Sequence, residues 1–322
     1  MFRRSVLKAL GGLAAVRTIG AAQAQTDVKK IIVGFAAGSA TDVLARTIAE
    51  KMKGQYGSSI VVENRVGASG QVAVSALKAA PPDGATMLLS PMAMLSLYPY
   101  IIPKLAYDPL ADVVPVGNCA TLDIAIAVGA DVPAEVDTLP KFIDWCKAHP
   151  AKATFATGAT GSKMHFGGIQ LGLASGLKLT HVGYSNGANA LSDLVGGTVP
   201  AYVGVIATIV PFLPRVRVLA TMGSQRSRFL PEVPTLAELG YKNLVVNETV
   251  GMYLPARTPQ EHVQRLHAAM VKALNARETT AALATLGMEA TPSTPAELSS
   301  RMKTELGQWG AVVKTSGFKQ DS

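Results

Sequence analysis

Short apolar runs alternate with amphipathic helical patterns along almost the whole chain. That alternation constrains the fold more than any other feature. "KKIIVGF" has the form of a strand and "TDVLARTIAEKMKGQYG" that of a helix. "SSIVVENR" is a strand, "GQVAVSALKAAPPDG" a helix broken by Pro-Pro-Asp-Gly, and "ATMLLS" a strand again. Such an order belongs to βαβ units around a mostly parallel sheet. From about residue 120 the pattern restarts, with strands at "DIAIAVG", "ATFATG", "LTHVGY", "VPAYVGV" and "VRVLATM". Between them stand helices at "TLPKFIDWCKAHP", "SKMHFGGIQLGLASG" and "GANALSDLVGG". A further strand, "TVGMYLPA", leads into two closing helices with Thr258 and Thr294 as expected N-caps. The expected fold is α/β and two-lobed, with a mostly parallel sheet in each lobe and a cleft between them at the carboxyl ends of the strands.

The first 24 residues stand apart from this pattern. "MFRRSVLKALGGLAAVRTIGAAQA" has a basic start, an apolar stretch and a small-x-small ending at Ala22-Gln23-Ala24, the form of a cleaved export signal. Arg17 interrupts the apolar run, which is far short of the ~20 residues a membrane span needs. The Arg3-Arg4 pair fits the twin-arginine export pattern in part. The leader's four cations take the chain's net charge from +8 to +4 on removal, and no basic cluster remains for nucleic acid. A mild positive excess suits an anionic small molecule. An oxidising compartment permits a bridge between the two cysteines, Cys119 and Cys146, although Cys146 also fits as a small buried residue of its helix.

Catalytic chemistry is sparse. None of the five histidines pairs with another His or Cys at zinc-ligand spacing, and no Gly-x-Ser-x-Gly elbow occurs. "GATGSK" lacks the Gly-Lys-Ser/Thr ending of a phosphate-binding loop. The expectation is no catalytic residue, no metal and no cofactor. What the strand ends carry instead is small and hydroxyl residues. "FAAGSATD" follows the first strand, with Ser39 and Asp42 as a variant capping box. A helix N-terminus carries about half a positive charge, so its backbone N–H groups hold a carboxylate without a cationic side chain. "ATGATGSKMH" and "GYSNGANA" repeat the arrangement in the second block, and an ordinary strand-to-helix turn remains the alternative for any one of them.

These stretches, taken in order, resemble the periplasmic receptors of tripartite tricarboxylate transporters, the Bug or TctC-type family. The resemblance runs through "IIVGFAAGSATDVLAR", "VVENRVGASGQVA", "PPDGATMLLS", "YDPLADVVPVG", "FATGATGSKMH", "LTHVGYSNGANALSDLVGG", "PEVPTLAELG" and "GMYLPARTP". It implies a periplasmic-binding-protein-like fold closing on a small carboxylate-bearing ligand, a mono- or dicarboxylate, for delivery to a membrane permease. It assigns ligand contacts to Phe35, Ala36, Ala37, Gly38, Ser39 and Asp42 in the first loop. Thr157, Gly158, Thr160, Gly161, Ser162 and Lys163 belong to the second, and Tyr184, Ser185 and Asn186 to the third. Gly204 stands where the family usually has an acid, which disfavours ammonium-bearing ligands unless Glu248 or Asp123 substitutes. Lys163 replaces a usual hydroxyl residue, and the expectation is that it meets a second ligand carboxylate; a solvated lysine on the first helical turn is the alternative. The implied lobes are 25–122 plus 250–322 and 123–249, with hinge strands near 123 and 249. A ligand sensor for a signalling partner shares every one of these features, and an exported hydrolase or isomerase shares the frame.

Overall fold

In the computed structural model, residues 28–318 are described, so the expected leader lies outside the described residues. Among the described residues ten strands form one mixed, partnered system. In chain order they are β1 (Val28–Val33), β2 (Ser59–Asn64), β3 (Thr86–Pro91), β4 (Val113–Val128) and β5 (Thr154–Thr157). β6 (Thr180–Gly183), β7 (Ala201–Val205), β8 (Arg217–Thr221), β9 (Asn247–Pro255) and β10 (Glu289–Ala290) follow. The helices are α1 (Ala40–Met52), α2 (Gln71–Lys78), α3 (Ala93–Ser96), α4 (Tyr98–Ile101), α5 (Leu139–Ala148) and α6 (Lys163–Ser175). α7 (Gly187–Gly196), α8 (Ile206–Ile209), α9 (Gln260–Leu274), α10 (Arg277–Thr285) and α11 (Pro295–Ser316) complete them.

Two triplets of parallel strands, β2-β1-β3 and β7-β5-β6, carry the βαβ connections the sequence announces. Antiparallel strands join them. β4 pairs with β9 from Val113 to Asp123 and then, from Ile124 to Val128, with β7 and β8. At 16 residues β4 spans roughly 54 Å, long enough to serve both halves. Only its second part, "DIAIAVG", is evident from periodicity. Pro115 and Gly117 break the first part, and the pairing with β9 shifts register at Pro115/Gly117 and Asn118/Ala120.

The apolar faces divide accordingly. Ile31, Val33, Met87, Met252 and Leu254 pack with α1 and α9 on one side of the first half, and Ile32, Leu88 and Tyr253 pack with α2 and α11 on the other. In the second half Phe142, Phe155 and Phe166 share a core with Trp309 and Val313 of α11. That last helix lies against β4, α3, α4 and α6, so it touches both halves. Thr294 caps it through a full capping box with Glu297, as expected. Thr258 does not cap α9: its hydroxyl donates to the Pro255 carbonyl at 2.7 Å, and Pro259 takes the cap position. The cysteines lie buried in two different cores, Cys119 with β4 and α9 and Cys146 with α5, and both are free, so the permitted bridge does not form. Among the described residues no helix is long and apolar enough to cross a membrane.

Candidate functional site

The three loops stand at the carboxyl ends of β1, β5 and β6, each opening a helix. Each helix is capped in the same way. Ser39 accepts the Asp42 N–H at 3.3 Å, Ser162 the His165 N–H at 3.2 Å, and Asn186 the Asn189 N–H at 2.9 Å. The cap satisfies one N–H of the first turn and leaves its earlier donors outside the helical ladder. Those are the N–H groups of Ala40 and Thr41, of Lys163 and Met164, and of Gly187 and Ala188.

In the first loop Ala36, Ala37 and Gly38 are exposed, and Phe35 and Ser39 half-buried. Asp42, expected among the ligand contacts, is only 2% exposed and braces the loop from behind. Its carboxylate accepts from Gly38 N–H at 2.9 Å, from Arg46 Nε and Nη2 at 3.0 Å each, and from Asn64 Nδ2 at 2.7 Å. Burial opposes its ionisation, yet the hydrogen bonds from Arg46, Gly38 and Asn64 win and hold its pKa at about 2. Asn64 also donates to the Phe35 carbonyl at 3.0 Å, so the end of β2 fixes both ends of the loop.

The second and third loops meet. Tyr184 N–H donates to the Thr157 carbonyl at 3.0 Å, and a Cβ on Gly158 would lie 2.5 Å from the Gly187 nitrogen, so only glycine fits there. Thr160 and Ser185 are exposed, as is Asn186, while Gly161 is buried and Ser162 half-buried. Tyr184 turns its hydroxyl to Asp193 Oδ2 at 2.7 Å. Beneath the second loop two imidazoles, His165 and His181, stack with centroids 3.7 Å apart. Gly161 N–H donates to His165 Nδ1 at 3.2 Å. Thr157 gives its hydroxyl proton to the Ala159 carbonyl at 3.0 Å and so accepts from His181 Nε2 at 2.8 Å, which assigns that tautomer. Burial pushes both rings down to about 4, with His181 adding to the effect on His165, so both are neutral at pH 7.

Lys163 departs from both sequence readings. It is 1% exposed, neither solvated nor free for a ligand. Its ammonium lies 2.7 Å from Glu305 Oε2 on α11, 3.5 Å from Glu248 Oε1 on β9, and 3.3 Å from the Asn247 carbonyl. Arg301 donates to Glu305 Oε1 at 3.2 Å and to Asn247 Oδ1 at 2.5 Å, and Ser96 donates to Glu305 Oε2 at 3.0 Å. Burial raises Glu248, with Glu305 reinforcing it against Lys163. Burial works on Glu305 in the same sense, but Lys163 and Arg301 outweigh it and hold that carboxyl below its ordinary range. Glu248 is therefore committed to this cluster rather than free to replace an acid at Gly204. A cavity of about 490 Å³ opens beside it, lined by Lys163, Asn247, Arg301, Glu305 and Trp309, but its charged groups already face one another.

Gly204 is buried in β7, and the ring of Tyr202 lies across it. Sequence reasoning did not single out Asn64, the His165–His181 stack or Tyr202, because each works through a partner on another strand. Ala68 and Ser69 were also missed. They sit at φ 45° and 54°, a left-handed conformation costly for non-glycine residues, at the loop that opens α2. Tyr98 donates to the Ser69 carbonyl at 3.1 Å. The run of small residues in "VGASG" was the available signal.

Helix starts at strand ends, in two α/β halves joined by crossing strands, give the chain the two-lobed fold of periplasmic solute-binding proteins. Residues 44–318 match the profile of TctC, the tripartite tricarboxylate transporter family receptor, and the chain belongs to that family. Protein BugT of Bordetella pertussis (strain Tohama I) is 31% identical over 293 residues, covering 90% of this chain and 89% of its own. Among solved structures, R. palustris Rpa4515 with adipate superposes with a TM-score of 0.81 at 28% identity, covering 90% of this chain and 97% of that one. MatC from Rhodopseudomonas palustris with bound malate gives 0.76 at 27% identity, over 89% and 98%. The family is one of receptors rather than enzymes.

Proposed function

We propose that the protein is an exported receptor that captures a small organic acid, of the dicarboxylate class represented by adipate and malate, by lobe closure, and delivers it to a tripartite tricarboxylate-type permease. The observation that carries this reading is the set of three like-capped helix starts, whose uncapped N–H groups suit carboxylate oxygens. Ala36 to Ser39 belong to one lobe's share of the site, and Thr157 to Ser162 with Tyr184 to Asn186 to the other's. The proposed lobes are 25–122 plus 250–322 and 123–249; the change of β4 partners after Asp123 supports a hinge there. Residues 1–24 act as the cleaved signal for export to the periplasm.

The test uses the mature chain, denatured and refolded to strip carried-over ligand. Thermal melting is followed against malate, adipate, succinate, citrate, benzoate and aspartate. A ligand specific to the native state adds about 2.7 kcal/mol at one hundred times its dissociation constant, a shift of a few degrees. A selective shift by one acid, recovered unchanged, with a smaller radius of gyration in X-ray scattering, is the expected result. No shift across the panel, or conversion of the acid, would overturn the reading.

A further inference from the structure

β5, β6 and β7 are parallel neighbours, so the end of β7 opens beside the second and third loops. Tyr202 and Gly204 point to the same face of β7. A Cβ on Gly204 would lie 2.2 Å from Tyr202 Cε1 and 2.3 Å from its hydroxyl, so the ring passes over the glycine toward the strand's carboxyl end. There the hydroxyl reaches the first residue of α7: a Cβ on Gly187 would stand 2.7 Å from it. The side chain is 2% exposed. Among the described residues its one hydrogen-bond partner is Thr208 Oγ1, at 3.4 Å, well beyond the ~2.7–2.8 Å usual between hydroxyls. Thr208 gives its own proton to the Val205 carbonyl at 2.8 Å, so the phenol is the donor in that long contact. A phenylalanine would fill the same slot without burying a poorly satisfied hydroxyl.

On the receptor reading above, we infer that the Tyr202 hydroxyl, beside Thr208, forms the floor of the anion site at the start of α7 and is a specificity-determining donor. The phenol O–H and the first-turn N–H groups of α7 all donate. This end of the site therefore takes an acceptor-only group, a carboxylate, in preference to an amide or ammonium, whose hydrogens face these donors and compete for the Thr208 hydroxyl oxygen that the phenol already uses.

The test compares wild type with Tyr202→Phe by calorimetric titration of malate and adipate, each beside its monoamide. A hydrogen bond to a charged group is worth about 1.5–3 kcal/mol, so the variant loses roughly 10- to 100-fold in affinity for the acid that wild type binds. It also loses most of its preference for that acid over the monoamide, while the melting temperature without ligand holds or rises. Unchanged affinity and preference in Tyr202→Phe overturn this inference alone. So does a lower ligand-free melting temperature with an unchanged preference, which marks the hydroxyl as structural. A wild-type chain that binds no acid of the wider panel overturns the receptor reading and this inference together.

Discussion

Replacing Lys163 by methionine keeps the length of a side chain that is 1% exposed and removes the cation between Glu248 and Glu305. Breaking a buried ion pair from one side costs about 3–5 kcal/mol, because the remaining charge stays desolvated. Two features place this case at the low end. Glu305 keeps Arg301 at 3.2 Å and the Ser96 hydroxyl at 3.0 Å. Glu248 already has a raised pKa, so its charge is the more readily titrated of the two. The expected loss at pH 7.5 is therefore about 3 kcal/mol, a fall in melting temperature of about 6 °C at roughly 2 °C per kcal/mol for a chain of this size.

The pH dependence separates this cause from simple loss of packing. Without Lys163, Glu248 is raised further above its unfolded value, and Glu305 loses one of the two cations that hold it down. A carboxyl raised in this way destabilises above its folded pKa, and the penalty disappears as pH falls toward its unfolded value, about 4.3. Melting curves of wild type and Lys163→Met, recorded by circular dichroism from pH 7.5 to pH 5, should converge as the pH drops. Adding Glu305→Gln to Lys163→Met should recover part of the loss, and the double-mutant cycle gives the coupling between the two. A deficit under about 2 °C at pH 7.5, or one that stays flat down to pH 5, would refute the view that Lys163 compensates buried charge.

Asp42→Asn removes a carboxylate held at about 2 against an ordinary 3.8; the loss is about 2 kcal/mol in urea denaturation at pH 7. Since the wild-type contribution is present above the unfolded pKa and lost as pH falls through the folded one, the difference between the two proteins should narrow from pH 4 to pH 2. The C2 protons of His165 and His181 should titrate near 4 by NMR, and a midpoint near 6.5 for either would contradict the buried neutral stack. Because these rings resist protonation only when folded, the stability they supply is full above about 6.5 and drains away as the pH falls toward 4. Thr294→Ala should cost about 1 kcal/mol, read as a melting shift of about 2 °C, with Thr294→Ser restoring most of it; an unchanged melting temperature would mean that water replaces the cap.

What the sequence discloses well is what acts over three or four residues. Ser39 with Asp42, and Thr294 at the start of the last helix, lie within one helical turn of what they cap, so pattern alone locates them; Ser162 with His165 and Asn186 with Asn189 share that spacing, though there the sequence points only to the loops. Thr258 failed as a cap because Pro259, next in line, sets the entry geometry of α9 instead. The partners of Lys163 lie 84 and 142 residues along the chain, and nothing in "TGSKMH" hints at them. The same holds for Asn64, whose amide reaches back to Phe35 and Asp42. Half of β4 escaped notice because Pro115, Gly117 and two register shifts erase its alternation, although its pairing with β9 is intact on either side.

The misreading of Lys163 bears on how the site works. Had its ammonium faced the loops, ligand charge would be matched by a point charge that binds an anion in any lobe arrangement. Its pairing with Glu248 on β9 and Glu305 on α11 takes that charge away and ties the first turn of α6 to the crossing strand and to the helix that touches both halves. Arg46, the cation beside the first loop, is likewise held by Asp42 and Asn64. The donors left at the three helix starts are neutral and directional, and their strength falls off within a turn. On the receptor reading proposed above, an anion gains from all of them only when the loops converge on it. On that reading, backbone dipoles and the proposed Tyr202 donor, rather than Lys163 or Arg46, carry the affinity and make it depend on the proposed closure.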